Sequence, residues 1–154
     1  METTMSTAKR GIDAKRTKDG KFTLIILNTI DTPAWRELPL KSQALYLWVR
    51  LEWKGRKNNN NGKIALSCRQ AAQKMGVSVN TAASAFRELQ AKGFIFVTKS
   101  SWLGVEGKAK LQLYEITELP LPGSRGGRHL YASWSHGKDY PVISPVKSKP
   151  RRKT

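Results

Sequence analysis

The chain has one cysteine, Cys68, two histidines, His129 and His136, and only 11 acidic residues among 154. A single cysteine permits no intrachain disulfide and no cysteine-based zinc site, which fits a reducing cytosolic compartment. Cys68 falls in the first turn of an expected helix, where the dipole favours a thiolate, but a small buried side chain is the better reading. Both histidines lie in a Pro/Gly/Ser-rich region without metal-ligand neighbours. The apolar run Phe22–Ile30 is well short of the ~20 residues a membrane helix needs, and residues 1–21 lack the apolar core of a signal peptide. There is no phosphate-cradling glycine loop and no carboxylate pair in a pKa-shifting context. Ser144 and Lys147 match Ser-x-x-Lys only within a proline-broken basic stretch. These absences lead us to expect a soluble, cytoplasmic protein that is not an enzyme and uses neither metal nor cofactor.

Positive charge is abundant. The chain carries 28 Lys and Arg, a net charge of +17 and a pI near 10.4. Residues 22–119 hold 14 basic and 7 acidic residues, residues 1–21 hold 6 and 3, and residues 120–154 hold 8 and 1. The excess therefore divides between a folded body and its flanks. It implies an anionic partner, most often nucleic acid. A membrane surface is disfavoured, because no helix joins a continuous basic face to a bulky apolar one. Three regions are expected: a basic flexible arm over 1–21, one domain over 22–119, and a basic disordered tail over 120–154.

Within the body, Phe22–Leu27 is β-branched and apolar and predicts a short strand. Asp31, Thr32 and Pro33 predict a cap and a proline-started helical turn around Trp35. Ser42–Trp53 is a helix with apolar residues around more than half its circumference, hence a central one. A polar loop, Arg56–Gly62, leads to a short strand over Gly62–Leu66. Ser67 and Gln70 form a capping box that opens the next helix, and Gly76 closes it. After the three-residue turn Gly76–Ser78, Ser78 caps a further helix that Gly93 ends. Ala82, Ala85, Phe86 and Leu89 make its inner face, leaving Asn80, Thr81, Ser84, Arg87 and Ala91 on another. Phe94–Lys99 and Leu111–Thr117 are strands around a loop holding Gly104, Gly107, Lys108 and Lys110.

Helix, turn, helix, hairpin is the layout of a winged helix-turn-helix. The expected fold class is therefore α+β, a three-helix core with a small antiparallel β-sheet wing and basic disordered tails. Such a fold puts its second motif helix into the major groove of double-stranded DNA. Asn pairs with adenine, Arg with guanine, and Ser or Thr with base edges or phosphate. The expected base-reading set is Asn80, Thr81, Ser84 and Arg87. Ser67 and Ser78 mark helix starts whose N–H groups suit phosphates, and Arg69 and Lys74 flank them. Lys99, Lys108 and Lys110 place charge on the wing, and Arg151 and Arg152 belong to a basic arm that follows the phosphate backbone. If body and arms neutralise about six phosphates, log affinity falls against log salt with a slope of about −5.

The stretches Thr32–Arg36, Asn60–Ser67, Val79–Ala83 with Phe86–Leu89, Lys92–Ile95 and Glu115–Pro120 resemble small bacterial winged helix-turn-helix proteins. These are of the MarR-type and replication-initiator kinds often carried on mobile elements. The resemblance covers residues 22–120 and implies the fold, DNA binding and the recognition positions Asn80, Thr81, Ser84 and Arg87. Trp102 and Leu103 make this wing more apolar than the family's. The resulting expectation is a sequence-specific transcriptional regulator associated with the nucleoid, with a homodimer if its site is palindromic. A replication or maintenance initiator of a mobile element, and a basic RNA-associated protein, are the alternatives.

Overall fold

A computed structural model describes residues 20–104 and 109–145. Residues 1–19 of the expected arm over 1–21, and Lys108, Arg151 and Arg152, lie outside the described residues. The elements run α1 (Leu27–Ile30), α2 (Pro33–Glu37), α3 (Leu40–Leu51), α4 (Cys68–Met75), α5 (Val79–Ala91), β1 (Ile95–Lys99), β2 (Trp102–Leu103), β3 (Ala109–Lys110), β4 (Leu113–Ile116) and a 3-10 turn at Leu130–Ser133. The class is α+β.

Local chemistry sets the helix ends. Thr32 accepts the Trp35 N–H at 3.2 Å ahead of Pro33, whose missing N–H costs nothing in a first turn. The Ser67 hydroxyl accepts from the Gln70 N–H and the Gln70 carboxamide accepts from the Ser67 N–H, both at 3.0 Å. Gly76 ends α4 at φ +69°, a left-handed conformation that glycine adopts without Cβ strain. Ser78 then caps α5 by accepting the Thr81 N–H at 3.1 Å.

The helices α3, α4 and α5 pack on one another against the inner face of a hairpin. Ala82 and Ala85 of α5 are fully buried, and their small side chains bring α3 close enough for the Ser42 hydroxyl to donate to the Ala85 carbonyl at 3.2 Å. Leu45, Val49, Phe86, Leu89, Ile64 and Ile116 fill the space between the layers. Trp35, Tyr46 and Phe94 meet edge to face at centroid distances of 5.5–5.6 Å. Fully burying side chains of this size contributes about 1.5–3 kcal/mol each.

β1 and β4 pair antiparallel, with Ile95 opposite Ile116 and an irregularity between Val97 and Lys99. Beyond it the same hairpin continues as β2 and β3, with Trp102 opposite Lys110. The expected strand over Gly62–Leu66 contracts to one bridge, Ile64 with Tyr114, whose two N–H···O bonds measure 3.1 and 2.9 Å.

Three expectations need correction. Residues 21–26 belong to no strand and Leu27 opens α1; β-branched composition favours extended backbone, but a strand also needs a ladder partner. Helix α3 buries Ser42, Leu45, Tyr46, Val49 and Arg50 while Ala44 and Leu47 are exposed, so it is amphipathic rather than buried on most sides. The expected disordered tail is packed on the body as far as Ile143. Tyr131 and Trp134 are buried, and Tyr131 stacks on Phe94 with centroids 4.9 Å apart. Gly93, at φ +83°, lets this segment approach; a Cβ there would lie 2.9 Å from the backbone of both Leu130 and Tyr131. The Tyr140 N–H donates to the Ala91 carbonyl at 2.8 Å. The Gln90 side chain holds Ile143 through both its backbone N–H and its carbonyl.

A buried polar cluster ties this layer to α3. Tyr46 donates to Glu118, and Arg50 Nη1 lies 3.0 Å from Glu118 Oε2 while Arg50 Nε donates to the Thr23 hydroxyl at 3.2 Å. Burial, reinforced by the Glu118 carboxylate, raises the Tyr46 hydroxyl well above the ordinary tyrosine range.

Tyr114 gives a pH prediction. Burial pushes its phenol up to about 12, partly offset by the hydrogen bond from Gln112. The unfolded chain releases this proton near pH 10, the folded chain only near 12, so stability falls as pH rises across that window. Tyr114→Phe removes the titration, and its denaturant midpoint should decline less steeply than the parent's between about pH 10 and 12.

Candidate nucleic-acid interface

The turn Gly76–Ser78 sets α5 against α4, and α5 turns Ala82, Ala85, Phe86 and Leu89 inward. Its outward side carries Val79, Asn80 and Arg87, all exposed, with Thr81 and Ser84 half-buried between them. Asn80 and Arg87 are seven positions apart, about 20° from alignment along the helix, and separated by about 10.5 Å of rise. That span matches about three base-pair steps of 3.4 Å.

The expected base-reading residues divide by whether their polar groups are free. Neither Asn80 nor Arg87 makes a side-chain hydrogen bond or ion pair with a described residue. The Thr81 hydroxyl instead lies 2.9 Å from the Ser78 hydroxyl, inside the cap. Ser84 accepts from Lys41 Nζ at 2.9 Å. Lys41 thus brings a cation from the start of α3 to the edge of the same surface. Ala91, expected on the polar side, is buried, and its carbonyl is taken by Tyr140.

The start of α4 adjoins this stripe. Arg69 is exposed beside Ser67 and Cys68, and the capping box uses the Ser67 and Gln70 N–H groups, leaving that of Arg69 free. Burial pushes the Cys68 thiol up, with the Arg87 guanidinium pulling the other way. Cys68 is therefore a poor nucleophile. Ser67, Cys68 and Lys110 line one cleft of about 180 Å³ between α4 and the hairpin. The α4 start and Lys110 thereby share one cleft.

Two expected contacts rest on aromatic rings. Lys74, in the last turn of α4, lies over the Trp48 ring of α3 at 5.5 Å. Lys99 lies over Trp102 at 4.1 Å, so the apolar wing residue serves as its platform.

Sequence reading missed Lys41 and Val79. The first acts through a tertiary contact; the second is an apolar side chain, 47% exposed at the first position of α5, where contact with a thymine methyl is chemically apt. Four carboxylates have cationic partners among the described residues. Glu88 pairs with Lys92, Glu115 with Arg128, Glu118 with Arg50, and Asp31 with Arg36.

Among the described residues no helix is long and apolar enough to cross a membrane. The chain matches no family model, no curated protein and no solved structure.

Proposed function

We propose that this protein is a winged helix-turn-helix transcriptional regulator that binds double-stranded DNA sequence-specifically. Helix α5 enters the major groove, Asn80 and Arg87 read base edges, and Val79 meets a thymine methyl. Lys41, Lys110 and the Arg69 N–H at the start of α4 hold phosphates on either side. One observation supports the reading: the helix that follows the turn Gly76–Ser78 presents an exposed amide and an exposed guanidinium, neither with a partner among the described residues, in one stripe opposite the buried face of Ala82, Ala85, Phe86 and Leu89. On an ordinary solvated helix an arginine of this kind is commonly paired with a carboxylate one turn away.

Selection of bound duplexes from a random pool tests this reading. The expected result is enrichment of one short motif, with the protein's footprint centred on it. Sequences no different from the starting pool after several rounds would overturn it. Footprints on the source genome then separate roles: isolated sites beside promoters mark a regulator, and tandem repeats beside an A·T-rich segment mark a replication initiator.

A further inference from the structure

The loop after α3 and the segment after β4 form the two walls of an open cleft of about 550 Å³. Arg56 and Lys57 line one wall and Arg125 the other, together with residues 120–124 and Asn59. All three cations are exposed, and among the described residues none of them makes an ion pair and no carboxylate lines the cleft. Three unneutralised positive charges facing one hollow repel each other unless an anion joins them.

The walls are fixed to each other by the asparagine-rich loop. Asn59 donates to the Pro120 carbonyl at 2.9 Å, while its carboxamide oxygen accepts from the Trp53 indole, also at 2.9 Å. Asn61, itself buried, donates to the Ile116 and Leu119 carbonyls at 3.0 and 2.9 Å and accepts the Ile116 N–H at 2.7 Å. The rim turns at Gly123, φ +83°, with the Ser124 N–H donating to the Leu121 carbonyl at 2.9 Å. The Arg125 N–H and the Ser124 hydroxyl have no partner among the described residues, so both add donors to the guanidinium groups. A hollow held in shape before its ligand arrives loses little freedom on binding.

We infer that this cleft is a phosphate-binding site, with Arg56 and Arg125 clasping the phosphate oxygens and Lys57 adding charge. It is separate from the α5 surface. Lys41, at the start of α3, touches α5, whereas Arg56 follows the end of α3, and the 12 residues of that helix span about 18 Å. The inference uses none of the recognition residues and stands whether or not α5 reads DNA. The phosphate belongs either to a nucleic-acid backbone passing behind the reading helix or to a small phosphorylated molecule.

Calorimetric titration of the full chain with inorganic pyrophosphate at low salt tests the site. The cleft variant is Arg56→Gln, Lys57→Gln, Arg125→Gln. The control is Lys54→Gln, Lys63→Gln, Lys138→Gln, which removes the same charge from exposed lysines outside the cleft. Pyrophosphate affinity should fall at least tenfold in the cleft variant and less than twofold in the control, with both melting as the parent does. The single variant Arg125→Gln should lose several-fold if the triple variant is unstable. No binding by the parent, or equal losses in cleft variant and control, would overturn the inference. Duplex titrations identify the source. A slope of log affinity on log salt that is shallower by about 2–3 in the cleft variant assigns the phosphate to DNA, at about 0.9 per contact; an unchanged slope assigns it to a small molecule.

Discussion

Arg87→Ala is expected to lower discrimination between the preferred duplex and random DNA by about 1–3 kcal/mol, and Asn80→Ala by a similar amount. The magnitude follows from what each side chain has free. A guanidinium that spends no donor on the described residues can deliver a bidentate pair to guanine O6 and N7, and a carboxamide without a partner among them can do the same for adenine N6 and N7. Thr81 and Ser84 stand close by, but their hydroxyls are committed to Ser78 and Lys41, so Thr81→Ala and Ser84→Ala should shift specificity less. The two large effects should also differ from loss of a phosphate contact. Lys110→Gln should weaken binding to every sequence about equally and make the salt slope shallower by about 1, whereas Asn80→Ala should leave that slope unchanged. Competition binding of selected against scrambled duplexes at two or more salt concentrations separates these outcomes. Unaltered preference in both alanine variants would mean that α5 does not read bases.

Arg50→Met should cost about 3–5 kcal/mol of folding stability, the largest stability change anticipated for a single substitution in this protein. Glu118 is 2% exposed along its side chain, and its Oε1 already lacks a partner among the described residues. Removing the guanidinium leaves a carboxylate in the interior with only the Tyr46 hydroxyl to hold it. Domains of this size have about 5–15 kcal/mol in total, so the single variant sits near the edge of folding. The double change Arg50→Met with Glu118→Gln removes both charges and should recover much of the loss. Urea denaturation of the parent, both singles and the double gives the coupling directly. A loss below about 1 kcal/mol for Arg50→Met would show that water reaches the pair.

Local signals made α4, the turn after it and α5 readable from sequence. Ser67 with Gln70, Gly76, and Ser78 act over three or four residues, and the apolar spacing of Ala82, Ala85, Phe86 and Leu89 gives the buried side directly. What escaped depends on distant partners. Nothing near Arg50 signals that it is interior, because its counter-charge, Glu118, arrives from beyond β4. The segment 120–145 has the composition of a tail, and it is ordered because Phe94 offers a ring to Tyr131 and Gln90 offers a carboxamide to Ile143. Ser84 looked free to read bases, yet Lys41, 43 positions away, takes its hydroxyl. Conversely, the β-branched run Phe22–Leu27 gave a clear local signal for a strand that no neighbouring strand completes.

The way residues 130–143 fold back has a practical corollary for anyone trimming the polypeptide. A boundary drawn at Leu119, where prolines announce an end to regular structure, would strip one side of Phe94 bare and release the last turn of α5 from Tyr140 and Ile143. The packed body therefore extends through Ile143, and α5 is gripped at its far end by the very stretch that composition alone would discard.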